Sequence, residues 1–166
     1  MARITKHEYY LGIAAAVAAR GTCKVRNYGA VIVKEDHVIS EGYTGSPRGL
    51  YNCIDHDEIC ERIRNGSSPG QDFGTCRSVH AEMNAIISAS RLDMLDATMY
   101  LANRSGLFGH QLDFPEPCQF CRRMILNTGI SKVVVGGTIF DNKVGDGARM
   151  ITMVFTREDL IRKEEG

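Results

Sequence analysis

The sequence predicts an α/β sandwich around a mixed sheet, and three observations carry that reading. Two β-rich runs, 29–34 and 37–43, are joined by Glu35-Asp36 in the pattern of a hairpin. Strands and helices alternate through the second half. A length of 166 residues with 43% hydrophobic and 24% charged content suits one domain, 1–166, with its own core. Taking the elements in order, Thr5 and Glu8 have capping-box spacing, and Tyr10, Ile13, Ala14 and Val17 recur at helical intervals, so 5–20 reads as an amphipathic helix. Its apolar run, 11–19, is far short of the roughly 20 residues that span a membrane, and it reads as a cytosolic helix, not a secretory leader. After the hairpin, 43–77 has little periodicity and reads as a long loop with one short helix near 59–63; loops of that length are usually functional. Residues 80–91 restore helical spacing through Met83, Ile86 and Ile87, and 98–102 reads as a third strand. A second loop precedes a helix over 118–128, stopped by Gly129 and followed by a buried strand at 132–136. A fifth strand is expected at 151–155, and Thr156 with Asp159 caps a final helix.

Charge narrows the function. Twenty basic and twenty acidic residues leave no net charge, and the chain has no tryptophan, which argues against a nucleic-acid track as the partner and for a small ligand. Six cysteines in a cytosolic chain point to metal or catalysis before disulfides. Two segments stand out: His80-Ala81-Glu82 and Pro117-Cys118-Gln119-Phe120-Cys121, each opening a predicted helix. Thiolates at Cys118 and Cys121 lie in a first helical turn, where the dipole favours them, and with the imidazole of His80 they supply three zinc ligands. The fourth tetrahedral position is left for water. Glu82 is not on the helix face of His80, so it is suited to move protons rather than to ligate. A structural zinc knuckle or redox pair would keep the cysteines but has no use for Glu82. The two segments match the H-x-E and P-C-x-x-C signature of zinc nucleobase deaminases.

The wider segments resemble the deoxycytidylate (dCMP) deaminase family: Gly29-Ala30-Val31-Ile32-Val33, Gly42-Tyr43-Thr44-Gly45-Ser46-Pro47, His80-Ala81-Glu82-Met83-Asn84-Ala85-Ile86 and the Pro117-Cys118-x-x-Cys121 turn. The resemblance implies a cytidine-deaminase-like three-layer sandwich, with a central five-stranded mixed sheet flanked by helices. It implies hydrolysis of dCMP to dUMP and ammonia on a cytoplasmic homo-oligomer, often a hexamer, with no nucleic-acid or membrane partner. Water activated by Zn2+ attacks C4 of cytosine, and Glu82 carries the proton to N3 and then to the departing ammonia. Ala81 and Asn84 are expected beside the nucleotide and Phe140 over the ring. Arg91 is expected at the phosphate, with Arg26 as second choice, and a solvated surface charge is the alternative for each. Cys23, Cys53, Cys60 and Cys76 lie in regions where the family holds a second, structural zinc; His56 could replace one, and unconnected thiols are the alternative. Gly42, Tyr43, Thr44, Gly45 and Arg48, with Lys24, resemble an effector pocket where dCTP activates and dTTP inhibits; the glycines are expected to expose backbone N–H groups to a triphosphate, with Mg2+ sharing its charge, and an ordinary Gly-Pro turn is the alternative. Two departures stand against the pattern: Thr44 replaces an asparagine, and 103–116 is an extra loop. A dCTP or cytidine deaminase, and a tRNA or single-stranded nucleic-acid deaminase, are the rival readings.

Overall fold

A computed structural model describes residues 3–56, 59–67, 73–104, 116–139 and 149–165. In chain order the elements are α1 (Lys6–Ala18), β1 (Asn27–Lys34), β2 (His37–Tyr43), α2 (Glu61–Arg64), α3 (Ala81–Ile87), α4 (Arg91–Met94), β3 (Thr98–Arg104), α5 (Gln119–Thr128), β4 (Lys132–Ile139), β5 (Arg149–Thr156) and α6 (Arg157–Glu165). The strands form one five-stranded sheet in the order β2-β1-β3-β4-β5. β3 and β4 are parallel and every other pair is antiparallel, so the sheet is mixed.

Period-2 alternation assigns each strand residue to a layer. Val31, Val33, Tyr100, Ala102 and Val134 point to one face, where they meet Tyr10, Leu11 and Ala14 of α1. Ala30, Ile32, Met99, Leu101, Val133 and Val135 point to the other, where they meet Ala81 and Ala85 of α3, Ile125 of α5 and Leu160 of α6. Three layers result. The expected capping box is present: the Thr5 hydroxyl accepts from the Glu8 N–H, and the Glu8 carboxylate accepts from the Thr5 N–H. Glu35 and Asp36 turn the β1–β2 hairpin with φ of 48° and 63°, the left-handed pair that a tight hairpin turn demands.

The predicted helix over 80–91 is divided. α3 ends at Ile87, and the Ser90 hydroxyl accepts from the Leu92 N–H to start α4. Hydrophobic spacing continues through this break, but a serine side chain that satisfies a helix N-terminus is equally able to begin a new one. β4 also runs past the predicted end at Gly136, because β5 pairs with it as far as Ile139. Phe140 and most of the 103–116 loop lie outside the described residues.

Candidate active site

Packing on the sheet sets where α3 begins. Gly42 of β2 lies directly beneath this helix, where a Cβ would collide with the main chain of Ala81 and Ala85. That close approach is locked by Ser40 Oγ, which donates to the Ala85 carbonyl at 2.5 Å, and by Asn84 Nδ2, which donates to the Tyr43 carbonyl at 2.8 Å. Just before the helix, Gly45 and Val79 exchange two main-chain hydrogen bonds, 2.8 and 3.2 Å. His80 follows as the N-cap residue of α3, with Glu82 in its first turn.

α5 sets the other half. It ends at Gly129, whose φ of 88° suits a glycine C-cap, and its C-terminal end lies beside the start of β3 and β4: the Asp96 N–H donates to the Gly129 carbonyl at 2.9 Å. Its N-terminus therefore opens at the opposite end of the sheet. Cys118 is the N-cap residue rather than a member of the first turn, and buried Cys121 is the third residue of the helix.

The two helix starts bring the sequence motifs together. His80 Nδ1 lies 3.5 Å from Cys118 Sγ and 3.4 Å from Cys121 Sγ, and the three ligand atoms all fall within 4.8 Å of one another. Zinc bonds of about 2.3 Å to sulfur and about 2.0 Å to nitrogen require a nitrogen–sulfur edge of roughly 3.5 Å in a tetrahedron. The donors thus fit a zinc ion without rearrangement, and three of them leave one position open.

Protonation follows the same geometry. Cys118 is pulled down to about 4, first by the hydrogen bond from the Cys121 thiol, against burial and with help from His80 and the Cys121 N–H. Cys121 is pushed up by that same bond and by burial. Hydrogen bonding to Cys118 raises His80, with burial opposing and Glu82 assisting. Cys118 is thus disposed to be a thiolate while Cys121 keeps its proton, which a bound metal would displace. Glu82 is only 5% exposed, and burial raises its carboxyl above the usual range although its own backbone N–H and His80 oppose that shift. Cys121 also works to lower it, so its charge is coupled to the metal ligands.

Other expected residues are distributed unequally. Ala81 is buried in the core, while Asn84 Nδ2 is engaged with the Tyr43 carbonyl. Arg26 immediately precedes β1, close to the Tyr28–Thr44 and Gly45–Val79 links and so at the triad's end of the sheet. Arg91 is at the other end: its Nε donates to the Asn127 carbonyl, nine residues or roughly 13 Å along α5 from Cys118. It does not meet the triad of its own chain. Cys23, Cys53, Cys60 and Cys76 do line one cavity, with His56, of about 270 Å³. Among the described residues, however, no three of them come within 4.8 Å as the triad does, so the expected closed tetrahedral site is not formed.

The Gly42–Gly45 turn corrects the expectation of exposed N–H groups. The Thr44 N–H donates to the Tyr28 carbonyl, the Gly45 N–H to Val79 and the Ser46 N–H to Thr22 Oγ1. Gly42 and Thr44 are buried, and the Thr44 hydroxyl accepts from the Tyr28 N–H at 3.1 Å. Tyr43 and Arg48 are exposed. These links position His80, a role that no local sequence signal marks, since Thr44 and Tyr28 stand sixteen positions apart.

A family model described as the cytidine and deoxycytidylate deaminase zinc-binding region matches residues 4–137. The deoxycytidylate deaminase of Mycobacterium phage D29 is 37% identical over 139 residues, 81% of this chain and 96% of that protein. Deoxycytidylate deaminase of Saccharomyces cerevisiae is 38% identical over 128 residues, 76% of this chain but only 36% of the yeast protein. Among solved structures, dCMP deaminase from the cyanophage S-TIM5 in complex with dCMP and dUMP aligns with a TM-score of 0.51 at 23% identity, covering 79% of this chain and 82% of that one. Cytidine deaminase from Burkholderia pseudomallei aligns with a TM-score of 0.55 at 16% identity, covering 94% and 96%. At those identities the two structures establish the fold, whereas the family model and the phage relative establish descent. With its histidine and two cysteines at zinc spacing, the chain belongs to the cytidine and deoxycytidylate deaminase family.

Proposed function

We propose that the chain hydrolyses dCMP to dUMP and ammonia. The observation that carries this reading is the buried Glu82 carboxyl in the first helical turn after His80, beside a ligand set already at zinc spacing. Its support for dCMP in particular is the 37% identity with a deoxycytidylate deaminase along nearly that protein's whole length. Zinc held by His80, Cys118 and Cys121 supplies Lewis-acid activation of a water. Glu82 then takes one water proton and delivers it to N3 of the base as the oxygen bonds to C4. It carries the second proton to the exocyclic nitrogen, the C4–N4 bond breaks, and ammonia leaves. Burial suits Glu82 to this, because a carboxyl raised toward the operating pH both accepts and returns a proton readily.

Finer features belong to the same proposal. Arg26, a cation on the triad's end of the sheet, would meet the 5′-phosphate; Arg91 would serve it only from a neighbouring copy, in a homo-oligomer such as a hexamer. The four cysteines around the second cavity take a structural zinc once their loop closes on it, and Lys24, Arg62 and Arg77 around the same cavity would offset the charge of four thiolates. An effector such as dCTP or dTTP, with Mg2+, would be held by Arg48, Lys24 and Tyr43, since the neighbouring N–H groups are engaged. No helix among the described residues is long and apolar enough to cross a membrane, and six cysteines outside any disulfide suit a reducing cytoplasm.

Incubation of the purified protein with dCMP, dCTP, cytidine and a cytosine-containing oligonucleotide, following uracil product and ammonia, tests the assignment. Preferred turnover of dCMP is expected. Turnover confined to cytidine, dCTP or the oligonucleotide would replace dCMP with that substrate.

A further inference from the structure

α6 buries a single residue completely, Leu160, yet it is bound to α5 along its whole length. Arg157 Nη1 donates to the Leu126 carbonyl near the end of α5, and Lys163 pairs with Glu116 ahead of its start. Between these ties, the Glu164 carboxylate accepts from two consecutive arginines, Arg122 Nε at 2.8 Å and Arg123 Nε at 2.8 Å. The Arg122 and Glu164 side chains are only 17% and 13% exposed. Half-desolvated ion pairs are a poor source of stability, because the solvation lost offsets much of the attraction. Their value here is directional.

Arg122 grips Cys118 from both sides. Its guanidinium Nη1 donates to the Pro117 carbonyl at 3.0 Å, and its backbone N–H donates to the Cys118 carbonyl at 2.9 Å. Those carbonyls belong to the two peptide planes that flank Cys118. Holding both fixes its φ of −64° and ψ of 166°, and so the direction of its Cα–Cβ bond. Cys118 makes no side-chain capping bond of its own that would do this instead. The guanidinium keeps its place because the planar fork has one edge on Pro117 and the other on Glu164.

We infer that Glu164 is a positioning residue for the metal centre: through Arg122 it fixes the Pro117 carbonyl, and with it the direction in which Cys118 presents its sulfur. This rests on the metal reading of the His80, Cys118 and Cys121 triad. Groups that orient metal ligands typically cost 10- to 100-fold in metal affinity or activity when removed.

The test uses the zinc-loaded and cobalt-substituted protein. Glu164→Gln weakens the hold on Arg122, whereas Arg122→Lys keeps a charge beside Glu164 but cannot span both acceptors. Both variants should release zinc to a competing chelator about 10- to 100-fold faster, and alter the thiolate-to-cobalt absorption, with helix content retained. Arg162→Ala removes an exposed ion pair, with Asp159, from the same helix and should change neither. Should Glu164→Gln fail to fold, Arg122→Lys carries the test. Wild-type release and an unchanged cobalt spectrum in a folded variant that has lost only thermal stability would overturn the inference. Lack of thiolate-to-cobalt absorption in the wild-type chain would instead overturn the metal reading, and this inference with it.

Discussion

Two groups of cysteines stand at the same end of the sheet and are built in opposite ways. Cys118 and Cys121 sit at the start of a helix whose far end is packed beside β3 and β4, and His80 caps a second helix pressed onto β2. The spacing that zinc requires is therefore set by the sheet and the helices, and His80 lies 3.4–3.5 Å from both sulfurs. Cys53, Cys60 and Cys76 instead belong to a segment whose regular structure, among the described residues, is limited to α2 and two short 3-10 turns, and they share a cavity with Cys23 without closing to ligand distance. A catalytic centre needs its donors placed before the metal arrives, since a closed, relaxed shell would use the open position. A structural centre has no such requirement: there the metal itself can order the loop, and its binding energy becomes folding energy.

The largest expected effect separates chemistry from metal holding at the first group. Glu82→Gln retains the shape of the side chain and removes its ability to carry a proton, so turnover of dCMP should fall about 10²- to 10⁴-fold with zinc still bound. Near-normal turnover in a zinc-loaded Glu82→Gln protein would sink the role of Glu82. Chelation then sets the two groups against each other. Removing metal should leave α3 and α5 protected from hydrogen exchange, because their packing does not depend on it, while residues 51–56, 59–67 and 73–77 become exchangeable and open to protease. Equal loss of protection in both regions would break the distinction between a built site and an ordered loop. Metal analysis would supply the count that goes with it: if the second group takes a structural zinc as proposed, two zincs per chain are expected and Cys118→Ser should lose one, whereas a single zinc lost with Cys118→Ser would leave the second group unliganded.

Legibility in the sequence divides along the same line. His80 with Glu82 and Cys118 with Cys121 are readable because each pair is local, two or three positions apart at the start of a helix, and because the pairs together match a known zinc signature; that they meet across thirty-eight positions is not a local property. The places of the strands along the chain and both capping boxes, Thr5 with Glu8 and Thr156 with Asp159, are readable from local pattern. Gly42 was misread as a donor of exposed N–H groups, since a glycine beneath a crossing helix and a glycine in a ligand loop look alike until the helix is placed. Arg91 is expected at the phosphate by resemblance to a family position near a subunit contact; within its own chain its Nε donates to the Asn127 carbonyl, at the far end of α5 from Cys118. The Glu164–Arg122 pair, forty-two positions apart, leaves no trace in local pattern at all.

Thr44 joins the two cysteine regions, because Thr22 accepts from Ile54 of the loop at 3.2 Å and donates its own N–H to the Thr44 carbonyl at 2.9 Å. Thr44→Val keeps the shape but deprives the Tyr28 N–H of the hydroxyl that accepts from it. Leaving such a donor unmatched costs about 1–3 kcal/mol, which urea unfolding would measure. Zinc at the triad should survive, since none of its ligands is touched. A variant as stable as the wild type would show that another acceptor, or water, takes the place of Thr44.

The smallest effect is expected in acid, and it falls on the triad's side alone. Asp159 is held below its ordinary 3.8 first by the Thr156 N–H, then by the Thr156 hydroxyl and Arg162. Burial works against the Glu164 carboxylate, but Arg122 and Arg123 outweigh it and hold this group below its ordinary 4.5. A carboxyl depressed in the folded state contributes stability that is present above its unfolded value and is lost as pH falls through its folded value. α6 should therefore keep its hold on α5 above the ordinary range of these carboxyls and loosen as pH falls below it, through Glu164 at the contact with α5 and through Asp159 at the cap of α6. Loosening exposes Arg122, and with it the peptide planes that orient Cys118. Hydrogen exchange between pH 5.5 and 3, corrected for the intrinsic pH dependence of the reaction, should show α6 opening before α1, whose packing on the sheet uses buried apolar residues. Should α6 keep its protection until the whole sheet unfolds, these carboxylates contribute nothing separable, and the strap belongs to the core.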